Sequence, residues 1–250
     1  MFRVATYNIR KCVGLDWRRR PERIVEVIGE MRADVVAVQE ADKRFGGRTA
    51  TLPAGALAER AGLRAVTLPN VSASSGHHGN ALLVREGTGV VDVRALDLPS
   101  LEPRGALVAD LELHGHRLRV AALHLGLRPA DRLRQAQAVV RALEDLDEAM
   151  PTVLMGDLNE WSAAGPAVAA LSRNFQASAP LRSFHTSLPV APLDRILLGG
   201  GLRFRHLSLH RSLASRRASD HLPLLAEIEL VHPDASETAP GRGETAPSSA

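Results

Sequence analysis

Val153, Leu154 and Met155 form a short apolar run that stops at Gly156 and is followed at once by Asp157, Leu158 and Asn159. A run this short, with no polar interruption, is expected to be a buried strand. Ending as it does, the segment Met150 to Glu160 delivers an acid and an amide to the rim of a sheet. Residues two positions apart in extended chain point the same way, which puts Asp157 and Asn159 on one face. A carboxylate beside a carboxamide suits phosphate chemistry at a divalent metal: the anion binds the ion or activates water, and the amide NH₂ donates to a phosphoryl oxygen. Taken alone, the pair also reads as an ordinary turn after a strand. What the other segments send to the same place therefore decides between the two.

Four more apolar segments meet a chemically capable residue at one end. Phe2 to Asn8 alternates as a strand and ends in Asn8; Ala33 to Val38 is rich in β-branched residues and leads to Gln39 and Glu40. Arg117 to Leu123 reads as a strand ending in His124, and Ser219, Asp220 and His221 precede the last strand, Leu222 to Val231. Between these lie an amphipathic helix opened by Pro21, a helix over Thr51 to Ala61 closed by Gly62, and a long helix over Arg128 to Met150 with Leu133, Val139, Val140, Leu143 and Leu146 inward. A short strand is expected over Leu63 to Leu68 and a helix over Ala163 to Leu171. Further strands are expected over Ala81 to Val84, Val90 to Leu96, Gly105 to Leu113, Leu193 to Leu198 and Arg203 to His210, with a hairpin turn at His114-Gly115-His116. No repeat or linker divides residues 1 to 231, so the expectation is one α/β domain with antiparallel or mixed sheets.

Composition narrows the partners. With 250 residues and 45% hydrophobic content the chain can bury a large core, and no stretch reaches the ~18 apolar residues that span a membrane. The N-terminal MFRVATYNIR enters a strand pattern without the features of a secretion signal, and Cys12 is the single cysteine; a cytoplasmic monomer is expected. The last 19 residues, 232 to 250, hold three acids and one arginine and lack apolar periodicity. They are expected to form a disordered tail of net charge −2, which leaves +5 of the chain's +3 total on the rest. That is a mild attraction for anions, short of a dedicated nucleic-acid binder, and 3% aromatic content supplies few stacking platforms.

In order along the chain stand T-Y-N-I (6 to 9), V-Q-E (38 to 40), G-N-A-L-L (79 to 83), P-R-G-A-L (103 to 107), H-L-G (124 to 126), G-D-L-N (156 to 159), L-D-R-I-L (193 to 197) and S-D-H-L-P (219 to 223). Together these resemble the endonuclease/exonuclease/phosphatase superfamily of metal-dependent phosphoesterases, over Thr6 to Glu229. The resemblance implies a four-layer sandwich of two packed mixed β-sheets flanked by helices, with the site at one rim, and a domain over residues 1 to 231. It implies Mg²⁺, with Mn²⁺ as a substitute, held by Glu40 with Asn8 and Asp220 nearby. By the same resemblance Asp157 positions or deprotonates the attacking water, Asn159 and His124 hold phosphoryl oxygens, and His221 is the catalytic imidazole oriented by Asp194. Arg104 adds a cation near the phosphate, Asn80 belongs to a matched motif, and Trp161 and Arg217 lie close enough to meet substrate. The chain departs from the superfamily at Arg10, where abasic-site endonucleases carry an acid and many short bacterial members a histidine; that argues against a second metal site. It also lacks a tyrosine-bearing DNA-repair loop, since Tyr7 is its one tyrosine.

The reading is therefore a Mg²⁺-dependent phosphoesterase cleaving a phosphodiester, in nucleic acid or in a small or lipid headgroup ester, by metal-assisted attack of water. A DNA endonuclease or exonuclease of repair is the alternative within that chemistry. A non-catalytic binding module is the alternative outside it, disfavoured because Glu40, Asp157, Asp220, His124 and His221 are all retained. His77-His78 and His114-x-His116 carry imidazoles without a third ligand at metal spacing and read as loop histidines. Arg18 to Arg20 reads as a solvated face, whereas Arg216-Arg217 lies just before Asp220.

Overall fold

The computed structural model describes residues 1–42, 50–68, 76–100, 104–146 and 148–231. The expected tail, 232–250, lies outside them. Thirteen strands are present among the described residues: β1 Phe2–Asn8, β2 Val35–Gln39, β3 Leu63–Ala65, β4 Gly76–His77, β5 Asn80–Arg85, β6 Gly89–Leu98, β7 Arg104–Leu113, β8 His116–His124, β9 Thr152–Asp157, β10 Gln176–Ala177, β11 Asp194–Gly199, β12 Leu202–Leu209 and β13 Leu224–Leu230. The helices are α1 Pro21–Met31, α2 Ala54–Ala61, α3 Pro129–Glu144, α4 Pro166–Leu171 and α5 Ser215–Ala218.

The strands form two mixed sheets. One runs β12-β13-β1-β2-β5-β3, with β4 attached to β5; the other runs β10-β11-β9-β8-β7-β6. Side-chain alternation explains how they stack. Val4 of β1, Ala37 of β2 and Leu82 of β5 face Ala122 of β8, Met155 of β9 and Ile196 of β11 in one core between the sheets. The opposite faces of β1, β2 and β5 pack Ala5, Val36 and Leu83 against Ile24 and Ile28 of α1 and Leu57 of α2. On the far side Ala121, Leu154 and Leu197 pack against Val139 of α3 and Leu171 of α4. The result is the four-layer sandwich that the resemblance implies.

The run Val153 to Met155 is apolar throughout because β9 is buried on both faces. It pairs in parallel with β8, the direct partner of Gly156 being Leu123. A Cβ at Gly156 would stand 1.9 Å from the Leu123 carbonyl oxygen, so only glycine lets these strands run together up to the site. At the β7–β8 hairpin, His114 and Gly115 take φ of 51° and 76°, which supplies the expected tight turn.

Several boundaries differ from expectation. The third helix ends at Glu144 rather than running on to Met150, and Leu133, Val140, Leu143 and Leu146 are only half-buried. Its buried face is instead partly polar, with Asp131, Arg132 and Gln135 beside Ala136 and Val139. The strand after Gly62 covers only Leu63–Ala65, and β4, β10 and α5 carry too few residues for periodicity to reveal them.

Candidate active site

Strand alternation brings the expected residues to one rim. Asn8 has the same parity as Val4 in β1, His124 as Ala122 in β8, Asp157 as Met155 in β9 and Asp194 as Ile196 in β11, so all four point into the space between the sheets. Glu40, one past the end of β2, would alternate toward the helices; its φ of 55° turns it back. A cavity of about 380 Å³ opens there, lined by Asn8, Glu40, Arg104, His124, Asp157, Asn159 and His221, with Leu127, Trp161, Phe184 and Leu193 as its apolar part.

Its centre is a chain of buried charge. His221 Nδ1 lies 2.8 Å from Asp194 Oδ2, and its Nε2 lies 3.8 Å from Asp157 Oδ2. His124 Nε2 approaches the same Asp157 oxygen at 3.7 Å, while Arg104 Nη1 stands 3.1 Å from His124 Nδ1. Asp157 accepts from Asn8 Nδ2 at 2.9 Å and from the Asn159 backbone N–H at 2.8 Å. Burial, with the charge of Asp194 adding and His221 opposing, raises the Asp157 carboxyl to about 6. Burial alone would lower His221, but Asp194 and Asp157 outweigh it and raise the imidazole to about 10, so it is a cation at neutral pH.

Other groups hold these in place. Ser183 Oγ donates to Asp194 Oδ2 at 2.5 Å, and Ser219 Oγ donates to the Asn8 carbonyl at 2.7 Å. The polar face of α3 anchors the loop after β8: Gln135 Oε1 accepts from the Gly126 N–H at 2.7 Å, and Arg132 donates to the Leu127 carbonyl at 2.6 Å while its Nε lies 3.4 Å from Glu160. The break in apolar spacing at Asp131, Arg132 and Gln135 was the sequence signal for this face. Ser183 had none.

Four expectations change in detail. Asn159 leaves the extended conformation (φ 51°), and its NH₂ donates to the Leu125 carbonyl at 2.9 Å, so it lines the cavity with that donor engaged. Asp220 is not among the lining residues; Arg10 Nε lies 3.4 Å from its carboxylate, an ion pair that an acid at position 10 would not make. Asn80 is buried and donates to the Gly105 carbonyl at 2.8 Å, bracing the two sheets rather than lining the cavity. Arg217 lines a separate groove with Asp16, Arg20 and Arg23. The expected Asp194–His221 contact is made across the two sheets, Asp194 opening β11 in one and His221 preceding β13 of the other. Arg195, for its part, donates to the Asp194 backbone carbonyl at 3.1 Å.

Glu40, Asn8, Asp157 and Asn159 provide oxygen donors of the kind a hard divalent cation takes. The Lys11 ammonium already rests on Glu40 Oε2, so this carboxylate holds a cation at the cavity wall. The residues present thus fit a metal of the Mg²⁺ class at Glu40.

The sequence profile described as the Endonuclease/Exonuclease/phosphatase family matches residues 5–221. The uncharacterized protein YbhP of Escherichia coli K12 is 32% identical over 163 residues, 62% of this chain; the match spans 64% of the length of YbhP. The human Nocturnin catalytic domain, solved with bound sulfate, superposes with a TM-score of 0.71 at 20% identity, covering 92% of this chain and 94% of that one. A mannosyl-6-phosphatase of Bacteroides thetaiotaomicron superposes with a TM-score of 0.72 at 16% identity, covering 92% of this chain and 100% of that one. At those identities the two structures show a shared fold.

Proposed function

Since the chain belongs to the endonuclease/exonuclease/phosphatase family, whose members are usually hydrolases of phosphoester bonds, we propose that its rim cavity hydrolyses a phosphodiester with the help of a divalent cation. The observation that carries this reading is the His221 ring standing between Asp194 and Asp157 on one cavity wall with Arg104 and His124. Asp157, ionised above about pH 6, takes the proton of the attacking water. His221, already cationic and aimed by Asp194, hydrogen-bonds through Nε2 to a phosphoryl oxygen, and Arg104 with His124 offsets charge on the others; as the new P–O bond forms, the bond to the ester oxygen breaks and that leaving oxygen takes up a proton from solvent. Glu40 and Asn8 would hold a Mg²⁺, or Mn²⁺ in its place, and the ion would supply further charge neutralisation at the phosphoryl group.

The cavity mouth favours a substrate with an apolar substituent. Leu127 and Trp161 line it while 65% and 60% exposed, and Phe184 sits between Trp161, at 6.2 Å, and His221, at 5.0 Å. Leu188 and Val190, on the segment that returns to pair with Phe184, are also exposed apolar residues. Such a mouth suits an aryl or lipid-like phosphodiester. Repair of DNA is the second reading, favoured only by the Trp161–Phe184 pair as a stacking surface for a base. Arg217, the basic residue expected to meet substrate, lines a different groove.

The test is phosphate-ester turnover with Mg²⁺ against EDTA, across plasmid DNA, abasic duplex, an aryl phosphodiester, phospholipid vesicles and mannose 6-phosphate. EDTA-sensitive cleavage of the aryl or phospholipid ester is expected. Turnover of mannose 6-phosphate alone would move the reading from diester to monoester, and no EDTA-sensitive turnover on any substrate would overturn it.

A further inference from the structure

His77, His78 and Asp97 converge at the surface near the cavity without lining it. The two histidines sit at the β4–β5 turn, where His77 pairs with Asn80 and where His78 and Gly79 take φ of 48° and 82°. That reversal sets the two rings 4.2 Å apart. Asp97 comes from β6, at the edge of the other sheet. Its Oδ1 lies 2.9 Å from His77 Nε2 and 3.1 Å from His78 Nε2, and one ligand atom from each residue lies within 4.8 Å of the others. Around a tetrahedral Zn²⁺ with bonds of about 2.0–2.2 Å, neighbouring ligand atoms are roughly 3.3–3.5 Å apart. The Asp97 oxygen already stands near that spacing from both imidazole nitrogens.

We propose that His77, His78 and Asp97 bind a transition-metal dication, Zn²⁺ foremost, with water completing the shell. Two imidazole nitrogens and one carboxylate suit such an ion better than Mg²⁺, which takes oxygen. The site is therefore distinct in place and chemistry from the oxygen set at Glu40, and it does not depend on the chain being a phosphodiesterase. The third ligand was invisible in sequence because Asp97 follows His78 by 19 positions and arrives from the opposite sheet.

Such an ion ties the sheets together beside the catalytic rim. The Gly79 carbonyl accepts from the Ala41 N–H at 2.9 Å, next to Glu40, and Asn80 reaches the Gly105 carbonyl, next to Arg104. His77 is packed closely against β7: a Cβ on Gly105 would stand 2.3 Å from its Cδ2. The bland alternative is that two surface histidines merely share a carboxylate, an arrangement worth little when exposed.

The experiment titrates the metal-free full-length protein with ZnCl₂ and, separately, MgCl₂ by calorimetry, comparing wild type with His78→Ala, Asp97→Asn and Glu40→Gln. Asp97 has 84% of its side chain exposed, so its replacement leaves the fold intact. Wild type is expected to bind Zn²⁺ with a rise in Tm, with affinity falling at least about tenfold in His78→Ala and Asp97→Asn but not in Glu40→Gln. Equal Zn²⁺ affinity in wild type, His78→Ala and Asp97→Asn overturns the proposal, as does a loss confined to Glu40→Gln, which would put the ion in the cavity. Because binding and Tm are read instead of turnover, failure of the phosphodiesterase reading leaves this result interpretable.

Discussion

Asp157 and Asp194 stand directly opposite one another across the antiparallel pair β9 and β11, both essentially excluded from solvent. Two facing carboxylates in one dry site repel, and the imidazolium of His221, delivered from the other sheet, compensates them. Residues that share a rim thereby share a charge balance, from which the expected behaviour follows.

The pH dependence has two limbs. Asp157 is raised from 3.8 to about 6, so its basic form is lost as pH falls through that value. His221 is raised from 6.5 to about 10, so its cationic form persists through neutral pH and disappears as pH climbs through about 10. A profile of kcat/KM at saturating metal should therefore be bell-shaped between those limits. A cation near Asp157 can only move the acid limb downward, so an acid limb above pH 7 would contradict the assignment of the base.

Asp194→Asn removes the main charge that raises His221. Activity should fall about 10- to 100-fold, and the alkaline limb should move to lower pH, toward the 6.5 of an isolated imidazole. In a double-mutant cycle with His221→Ala the two losses should not multiply. Independent losses together with an unmoved alkaline limb would mean that Asp194 does not act through His221.

Substitutions at the Lys11–Glu40 pair should change metal activation in opposite directions. Glu40→Gln should raise the Mg²⁺ concentration for half-activation more than about tenfold, because a ligand is lost. Lys11→Gln removes a competing cation from the same carboxylate and should lower it by up to about fivefold, the scale of a partly exposed ion pair. Shifts of the same sign would place the metal elsewhere.

Arg132 is buried with Glu160 at 3.4 Å and also holds the Leu127 carbonyl. Arg132→Ala strands the buried carboxylate and frees the loop after His124, at a cost of about 3–5 kcal/mol in denaturant unfolding. A loss under 1 kcal/mol would show that the pair is solvated.

Trp161 lines the cavity mouth at 60% exposure without joining the charged chain. Trp161→Ala should raise KM for an aryl phosphodiester roughly tenfold while kcat changes little. A fall in kcat at constant KM would assign the ring to the transition state instead.

Local periodicity carried much of the architecture. Phe2 to Asn8 and the apolar face of the helix from Pro21 are where their patterns put them, because period 2 and period 3.6 follow from backbone geometry alone. The continuous apolar run before Gly156 reported a strand covered on both faces, and the motif order carried the family. What periodicity encodes is the face a residue presents, not the partner it meets. Partners were set by register and by the stacking of the sheets: Asp194 with His221 across 27 positions, Asn8 with Asp157 across 149, and Asp97 with His77 and His78. The positive φ of Glu40 and of Asn159 takes both off the line that strand alternation alone would give. Ion pairing withdrew Asp220 to Arg10, and hydrogen bonding drew Asn80 to Gly105. A charge or an amide at a strand end is a capability the chain carries alone, but its role depends on the neighbour that neutralises or aims it, and that neighbour arrives only when the layers pack.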